Sequence, residues 1–493
     1  LKINLVRNSG YGHISDMKLI YLFILEFLFF SPGVFPQLNK EQLKNGLDEI
    51  LKDNFFNSSS IAVDVYDLTA GEYLYKANEN KLLNPASNMK LLTSAAGLVF
   101  LGPRYNFITS VQYTGEIVNN TLLGDLYVVG GFDPDFRTSD LNKFISDIKK
   151  AGIKEVSGNI YGDVSKKDSV FWGWGWMWDD DPSTDAPYLS ALNINSNSID
   201  VYVTGSGQGE KPTVTTDPET GYIRIINNAI TSSVEQQRIR ITRDWRSRKN
   251  DIHVSGYILP PEFAADTIKN SLNIFRPDLY FLTLFKEKLE KSGIKIGGNI
   301  SLLRKPSSAK WVSVFSRQYD SVMVYMNKHS DNLSAEMTLY SLAASFNTYP
   351  VSAAEGLTVI DSLLSLCGIN EQNDVLADGS GVSRYNLLSA EQILSVLKYM
   401  YVNVPDLFQI YYRSLPVAGI DGTLGKRMIG TAAQGKVHAK TGTLRGISCL
   451  SGYASGKNNH MIAFTILEQN FIDQTDYARA IQNRICELLC EYE

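Results

Sequence analysis

Thiols and imidazoles are scarce in this chain: its 493 residues include four cysteines and five histidines. Cys367, Cys449, Cys486 and Cys490 have neither the spacing of a disulfide scaffold nor that of a zinc cluster. Cys486 and Cys490, one helical turn apart in an apolar setting, read as buried thiols. His13, His253, His329, His438 and His460 are dispersed with no His-Glu-x-x-His run, which argues against a metal hydrolase and calls for no cofactor. Charge of one sign is lacking too. Lys and Arg total 47 against 52 Asp and Glu, a net charge of −5, so no polyanion-binding surface and no nucleic-acid partner is expected. Long apolar runs are missing except for Leu19 to Phe30, interrupted by Glu26, preceded by Met17-Lys18 and followed by Ser31-Pro32-Gly33. That run is too short for a membrane span and reads as a secretory signal, with Met17 as the start and Leu1 to Asp16 outside the fold. An uncleaved anchor or a buried apolar helix is the rival reading.

What the chain does have begins at Asn84-Pro85-Ala86-Ser87-Asn88-Met89-Lys90, followed by Leu91-Leu92-Thr93-Ser94-Ala95-Ala96. Small and straight-chain residues after the proline predict a helix, with Ser87 near its start and Lys90 one turn on, on the same face. A serine hydroxyl is a weak nucleophile until something takes its proton, and a lysine stripped of its charge by burial does so. A capping serine with a surface lysine would look the same, so this pair alone decides little. Two later stretches change that. Ser330-Asp331-Asn332 precedes a helical segment, Leu333 to Tyr340, and Lys440-Thr441-Gly442-Thr443 opens a strand-like run through Tyr453. Ser-x-x-Lys, Ser-x-Asn and Lys-Thr-Gly in that order form the signature of penicillin-binding proteins and class A serine β-lactamases.

The assignments follow from what acyl transfer needs. Ser87 is the nucleophile and Lys90 its general base. Ser330 relays a proton to the leaving nitrogen, and Asn332 holds a substrate amide and steadies Lys90. Lys440 keeps the site positive, Thr441 and Thr443 offer hydroxyls to a carboxylate, and Gly442 permits close backbone approach. The N–H groups of Ser87 and Thr443 form the expected oxyanion hole.

The rest of the chain divides by texture. Residues 1–37 are upstream and signal sequence; 38–104 and 314–493 read as two parts of one catalytic domain; 105–313 read as an inserted, mainly β region of two domains, punctuated by one helix, Leu141 to Lys150. Helices are expected from Asn39 to Leu51, Ala354 to Cys367, Ala390 to Met400 and Tyr477 to Leu489. Strands are expected from Ile61 to Tyr66, Tyr73 to Tyr75, Gly446 to Tyr453 and His460 to Leu467. Within the insertion, Gly130-Gly131-Phe132-Asp133-Pro134 reads as a tight turn and Arg238 to Lys249 as an exposed basic loop. The run Phe171 to Trp178 is either an aromatic sugar-stacking surface or packing between domains, with packing favoured.

Beyond the three motifs, Asp378-Gly379-Ser380-Gly381-Val382-Ser383-Arg384-Tyr385-Asn386 and Leu415-Pro416-Val417-Ala418-Gly419-Ile420-Asp421-Gly422-Thr423-Leu424 resemble signature segments of the class C low-molecular-mass penicillin-binding proteins, the S13 or DacB-like D-alanyl-D-alanine carboxypeptidases. The resemblance covers essentially the whole chain after the signal. It implies an α/β (α+β) fold: a discontinuous penicilloyl-serine transferase domain, its antiparallel sheet flanked by helices, carrying inserted, mainly β domains. It implies a serine carboxypeptidase acting on the D-Ala-D-Ala end of a peptidoglycan stem peptide, with endopeptidase action on cross-links, and β-lactams that acylate the same serine. It further implies work in the periplasm or cell envelope, with peripheral membrane contact and oligomeric state left open. By the same resemblance, Asp133 is a candidate contact to the substrate side chain. The alternatives are a serine β-lactamase or esterase with the same acylation machinery, and a noncatalytic cell-wall binding protein.

Overall fold

The computed structural model describes residues 38–263, 267–369 and 374–493, so the expected signal segment lies outside the described residues. The alternation read around Ile61 forms β1 (Ser60–Asp67), which turns at Gly71 into β2 (Glu72–Ala77). Their sheet is completed from the far end of the chain by β3 (Val437–Leu444), β4 (Ile447–Ser455) and β5 (Met461–Gln469), in the antiparallel order β3-β4-β5-β1-β2. The stretch from Lys440 to Tyr453 is therefore a hairpin rather than one run. It turns at Arg445-Gly446, where Gly446 has φ +74°. Lys440 sits in the middle of β3, an edge strand.

Helices α1 (Lys40–Leu51), α2 (Met89–Ala96), α3 (Tyr319–His329), α4 (Asn332–Phe346), α5 (Ala390–Val402) and α6 (Thr475–Glu491) surround this sheet. On one face, Leu43 and Leu47 of α1 and Ile481 and Ile485 of α6 pack with Val63, Leu450 and Ile466. On the other, α5 packs directly on β1 and β5, and α2 packs against α3, α4 and α5 in a core that includes Leu91, Leu92, Met323, Leu339, Ile393 and Tyr453. All of α2 is buried. A helix apolar all round belongs at the centre of such a layer. It runs on into a π turn, Gly97–Leu101, and stops at Gly102, φ +84°, just before Pro103.

The intervening region is mainly β. A five-stranded sheet has the order Ile300–Leu302, Ile160–Asp163, Leu126–Val129, Asn106–Tyr113, Lys310–Gln318, and smaller sheets of four, three and three strands accompany it. The last of those five strands spans position 313, and helical structure resumes at Tyr319. Two readings of this region need correction. It contains a second helix, Pro277–Lys291, with proline at its first turn and Tyr280, Phe281, Leu284 and Phe285 buried. Arg238–Arg243 is a strand rather than an exposed loop, because Ile239 and Ile241 pack inward and Arg243 is buried against Asp181 and Asn273. Phe132, beside the expected tight turn, stacks on Tyr340 of α4 with ring centroids 5.8 Å apart, joining the insertion to the catalytic layer. All four cysteines are free thiols, Cys449, Cys486 and Cys490 being buried.

Gly97 sets how closely α2 approaches α3. A Cβ there would lie 2.0 Å from the Tyr319 hydroxyl, which itself donates to Ser94 O at 3.2 Å. Gly97→Ala is expected to destabilise the protein by roughly 1–3 kcal/mol through overpacking, read as a lowered Tm by differential scanning calorimetry. An unchanged Tm would mean that Tyr319 moves freely, against this account of the packing.

Candidate active site

From Leu83 to Leu98 every residue is buried except Ser87. The local chain enforces that exposure. Asn84 Oδ1 accepts the Ala86 N–H at 2.9 Å while Asn84 Nδ2 donates to Ser383 O at 3.2 Å. Ala86 is held at φ +44°, a left-handed conformation that costs a non-glycine residue about 1 kcal/mol or more. Asn88 Nδ2 donates to Ser451 Oγ on β4 at 2.7 Å, tying the turn to the sheet. The 3-10 turn Ala86–Asn88 then leads into α2, so Ser87 stands at the helix start with Lys90 one turn on.

Lys90 is fully buried, and its Nζ donates to Ser87 Oγ at 3.0 Å, Asn332 Oδ1 at 2.5 Å and Ser380 O at 2.6 Å. Burial pushes its pKa down to about 8, against the opposing pull of the carboxylates of Asp378, Asp331, Glu336 and Asp185. Lys440, equally buried, donates to Ser330 Oγ at 2.9 Å and Thr441 O at 2.8 Å. Burial, and then the Lys90 charge, hold it well below the ordinary lysine range. Ser330 caps α3 at φ +58°, and Asp331 caps α4 by accepting the Ser334 N–H at 2.7 Å. This back-to-back capping is the physical content of Ser-Asp-Asn: one helix ends, the next begins, and Ser330 and Asn332 are left at the cleft.

The approach of β3 to the serine turn depends on absent side chains. A Cβ on Gly442 would lie 2.8 Å from Pro85 O and 3.1 Å from Ser87 N; one on Gly381, φ +83°, would lie 1.9 Å from Ala86 O. Thr441 Oγ1 donates to Thr423 Oγ1 at 2.8 Å, and Thr423 belongs to the second signature segment. That segment is pinned by Asp421, whose two carboxylate oxygens each lie 2.7 Å from Lys328 Nζ. A cleft of about 1020 Å³ is lined by Ser87, Ser330, Asn332, Thr441 and Thr443, with Asp180 and Asp185 from the mainly β intervening region and Arg384, Arg445 and Arg479 from the C-terminal part of the chain.

One expected residue is not brought here. Asp133 is buried, its carboxylate taken up by Arg317 Nε at 3.0 Å and the Asp135 N–H at 3.0 Å, and it does not line the cleft. It holds a turn of the insertion in place. The carboxylates that do face the cleft, Asp180 and Asp185, follow the aromatic run.

Residues 43–492 match the D-Ala-D-Ala carboxypeptidase 3 (S13) family. The chain belongs to that family. It is 32% identical over 474 residues to a D-alanyl-D-alanine carboxypeptidase of Actinomadura sp. (strain R39), covering 92% of this chain and 85% of that protein. The structure of penicillin binding protein 4 (dacB) from Haemophilus influenzae matches with a TM-score of 0.79 at 25% identity, covering 89% of this chain and 97% of that one. The structure of the same protein complexed with a β-lactam matches with a TM-score of 0.74 at 24% identity, covering 89% of this chain and 98% of that one. The fold is thus the penicilloyl-serine transferase fold expected from the motifs. Among the described residues, no three His, Cys, Asp or Glu side chains form a group able to hold a metal ion.

The first signature segment proves to be a hydrogen-bonded knot under this S13 site. Asp378 accepts from Gly381 N, Ser383 N and Asn386 Nδ2, each at 2.7 Å, and from Trp176 Nε1 at 2.8 Å. Beneath it lies Glu336, one turn after Asn332 on α4. Its Oε1 accepts the N–H groups of Gly379 at 3.1 Å and Ser380 at 2.8 Å, while Oε2 is buried without a partner. Burial, then the neighbouring Asp378 charge, push Glu336 up to about 8. The only signal in the sequence was the i, i+4 spacing from Asn332, which points both side chains the same way.

Glu336 holds the Gly379 and Ser380 N–H groups of the loop whose Ser380 carbonyl accepts a hydrogen bond from Lys90, and its charge, when ionised, favours the ammonium form. Glu336→Gln keeps an oxygen for both N–H donors and removes the charge that Glu336 takes on as pH rises through about 8. With Lys90 as the expected base, the acylation rate would rise with pH through the Lys90 titration. In E336Q that rising limb is expected to move to lower pH by roughly half to one unit, measured by stopped-flow acylation with a fluorescent penicillin from pH 6 to 10. A limb that stays in place would remove Glu336 from the control of Lys90.

Proposed function

We infer that the protein is a serine-type D-Ala-D-Ala carboxypeptidase that cleaves peptidoglycan stem peptides through an acyl-enzyme on Ser87. The observation that carries this reading is a pair of buried lysines across one cleft, Lys90 at 3.0 Å from Ser87 Oγ and Lys440 at 2.9 Å from Ser330 Oγ. Two cations desolvated this close to each other each favour the loss of the other's proton. A neutral amine beside an exposed hydroxyl is the arrangement that makes serine nucleophilic.

In the proposed sequence, Lys90 takes the Ser87 proton as Oγ attacks the carbonyl carbon of the penultimate D-Ala. The oxyanion is held by the N–H groups of Ser87 and Thr443. Ser330, held by Lys440, gives its hydroxyl proton to the leaving nitrogen and is reprotonated at the expense of the proton on Lys90, relayed through Lys440, which leaves Lys90 neutral; the C–N bond breaks, and free D-Ala departs. Water then attacks the ester carbon, giving up a proton to Lys90, which returns it to Ser87 Oγ as the ester bond breaks. Asn332 holds the Lys90 amine and a substrate amide, and Thr441 and Thr443 take the terminal carboxylate beside Lys440. When the leaving amine belongs to a neighbouring stem peptide, the same steps make the enzyme an endopeptidase. The Asp180 and Asp185 carboxylates in the cleft lining favour a stem peptide bearing a side-chain amine.

The same reading makes β-lactams acylating inhibitors at Ser87 and places the work in the periplasm or cell envelope, where cross-linked wall is found. It also divides the chain into a catalytic unit built from both ends and an inserted region that walls the cleft. Incubation with a labelled penicillin is expected to give one adduct on Ser87 by mass spectrometry. Ser87→Ala is expected to lose the adduct and to lower D-Ala release from a pentapeptide by about 10⁴-fold or more. Equal labelling of both proteins would refute the assignment, and rapid β-lactam turnover without peptide cleavage would favour a β-lactamase instead.

A further inference from the structure

The aromatic run Phe171 to Trp178 does two things at once. Trp172 and Trp176 turn inward, their rings 5.3 Å apart and edge to face, and Trp176 is tied to Asp378. Trp174 and Trp178 turn outward and are 64% and 68% exposed. Packing accounts for the first pair and not for the second. Trp174 at least leans on Tyr385, 5.4 Å away. Trp178 instead meets Trp245, carried by a separate turn of the insertion, with ring centroids 5.1 Å apart and planes at 36°.

These two rings border a groove of about 570 Å³ whose other walls include Tyr188, Asp181, Arg246 and Arg248. Large indoles left in water, beside a few charged groups and over a groove of this size, are costly unless something covers them. The rings are also held firmly from behind. Asp181 is buried in an ion pair with Arg243 and accepts from Tyr188 Oη at 2.6 Å, and Met177 N donates to Asp180 Oδ2 at 2.8 Å across the Trp178–Asp180 turn.

We propose that the Trp178–Trp245 platform is a saccharide-binding subsite that takes the amino-sugar backbone of the substrate while its stem peptide lies in the catalytic cleft. This rests on the carboxypeptidase reading above. A pyranose ring offers one face of C–H groups for an indole and a rim of hydroxyl and acetamido groups for arginine partners, the mixture that Trp178, Trp245, Arg246 and Arg248 present. Continuity with the cleft favours sugar over a protein partner. Trp178 faces the groove and Asp180, two residues on in the same short turn, lines the cleft. A stem peptide is covalently joined to its glycan, and four extended residues span about 13–14 Å. Substrate held by its peptide thus brings its sugar to the neighbouring surface without a separate encounter.

The test compares wild type, Trp178→Ala, Trp245→Ala and the double variant on a sugar-free pentapeptide and on insoluble peptidoglycan. The ratio of D-Ala released from the polymer to that from the free peptide is expected to fall roughly tenfold in the double variant. In a Ser87→Ala background, where catalysis is silent, a peptide-free tetrasaccharide of N-acetylglucosamine and N-acetylmuramic acid is expected to bind by isothermal titration calorimetry and to lose that binding with both tryptophans. An unchanged ratio, or no tetrasaccharide binding to the Ser87→Ala protein with its platform intact, would overturn the subsite. Wild type inert on the free pentapeptide would instead overturn the carboxypeptidase reading, and the calorimetry would still judge the platform.

Discussion

Burying one amine governs this molecule. A lysine side chain taken out of water loses several kcal/mol of hydration unless polar partners replace the solvent. Lys90 finds three such partners, and each comes from a different part of the chain: Ser87 from its own helix, Asn332 from the start of α4, and the Ser380 carbonyl from a loop. The pieces that solvate the amine are therefore held in register around Ser87. Desolvation disfavours the charged form and the surrounding carboxylates restore part of it, leaving the group near the pH at which it works as a base.

That arrangement tolerates little displacement, and glycine is how the chain meets the tolerance. Gly442 brings β3 against the backbone of Ser87, and Gly381 brings the Asp378 loop against Ala86. The loop in turn presents the Ser380 carbonyl to Lys90. The serine turn is gripped from two sides by backbone, which holds its N–H group in place before any substrate arrives. An oxyanion donor is worth most when it need not reorganise.

The three motifs were legible in the sequence because each combines a chemical requirement with a local structural one. Ser330-Asp331-Asn332 combines the residue types expected for proton relay with a helix end followed by a cap, and β1 announced itself by alternation. What stayed hidden was set by distant partners. Glu336 looks like any helical glutamate until Gly379 and Ser380 are laid over it. Asp133 carried a plausible acidic side chain, but Arg317, 184 positions away, takes it. Arg243 read as part of an exposed basic stretch because nothing local reveals that Asp181 waits in the interior. The Lys440 hairpin was read as one strand because only Gly446 marks its turn.

The insertion is bound into this logic rather than appended to it. Asn332 Nδ2 donates to the Asp185 carbonyl at 2.6 Å while Asn332 Oδ1 accepts from Lys90 at 2.5 Å, so one amide group joins the loop around Asp185 to the Lys90 amine. Trp176 makes a second connection through Asp378, whose loop supplies the Ser380 carbonyl. A shift of the 176–185 segment would thus be felt at Lys90 along two short hydrogen-bonded routes, without passing through the hydrophobic core. Its place in the chain, after the nucleophile and before the Ser-x-Asn turn, lets the same segment wall the cleft and steady the amine. The cleft wall and the Lys90 amine consequently draw on one set of hydrogen bonds.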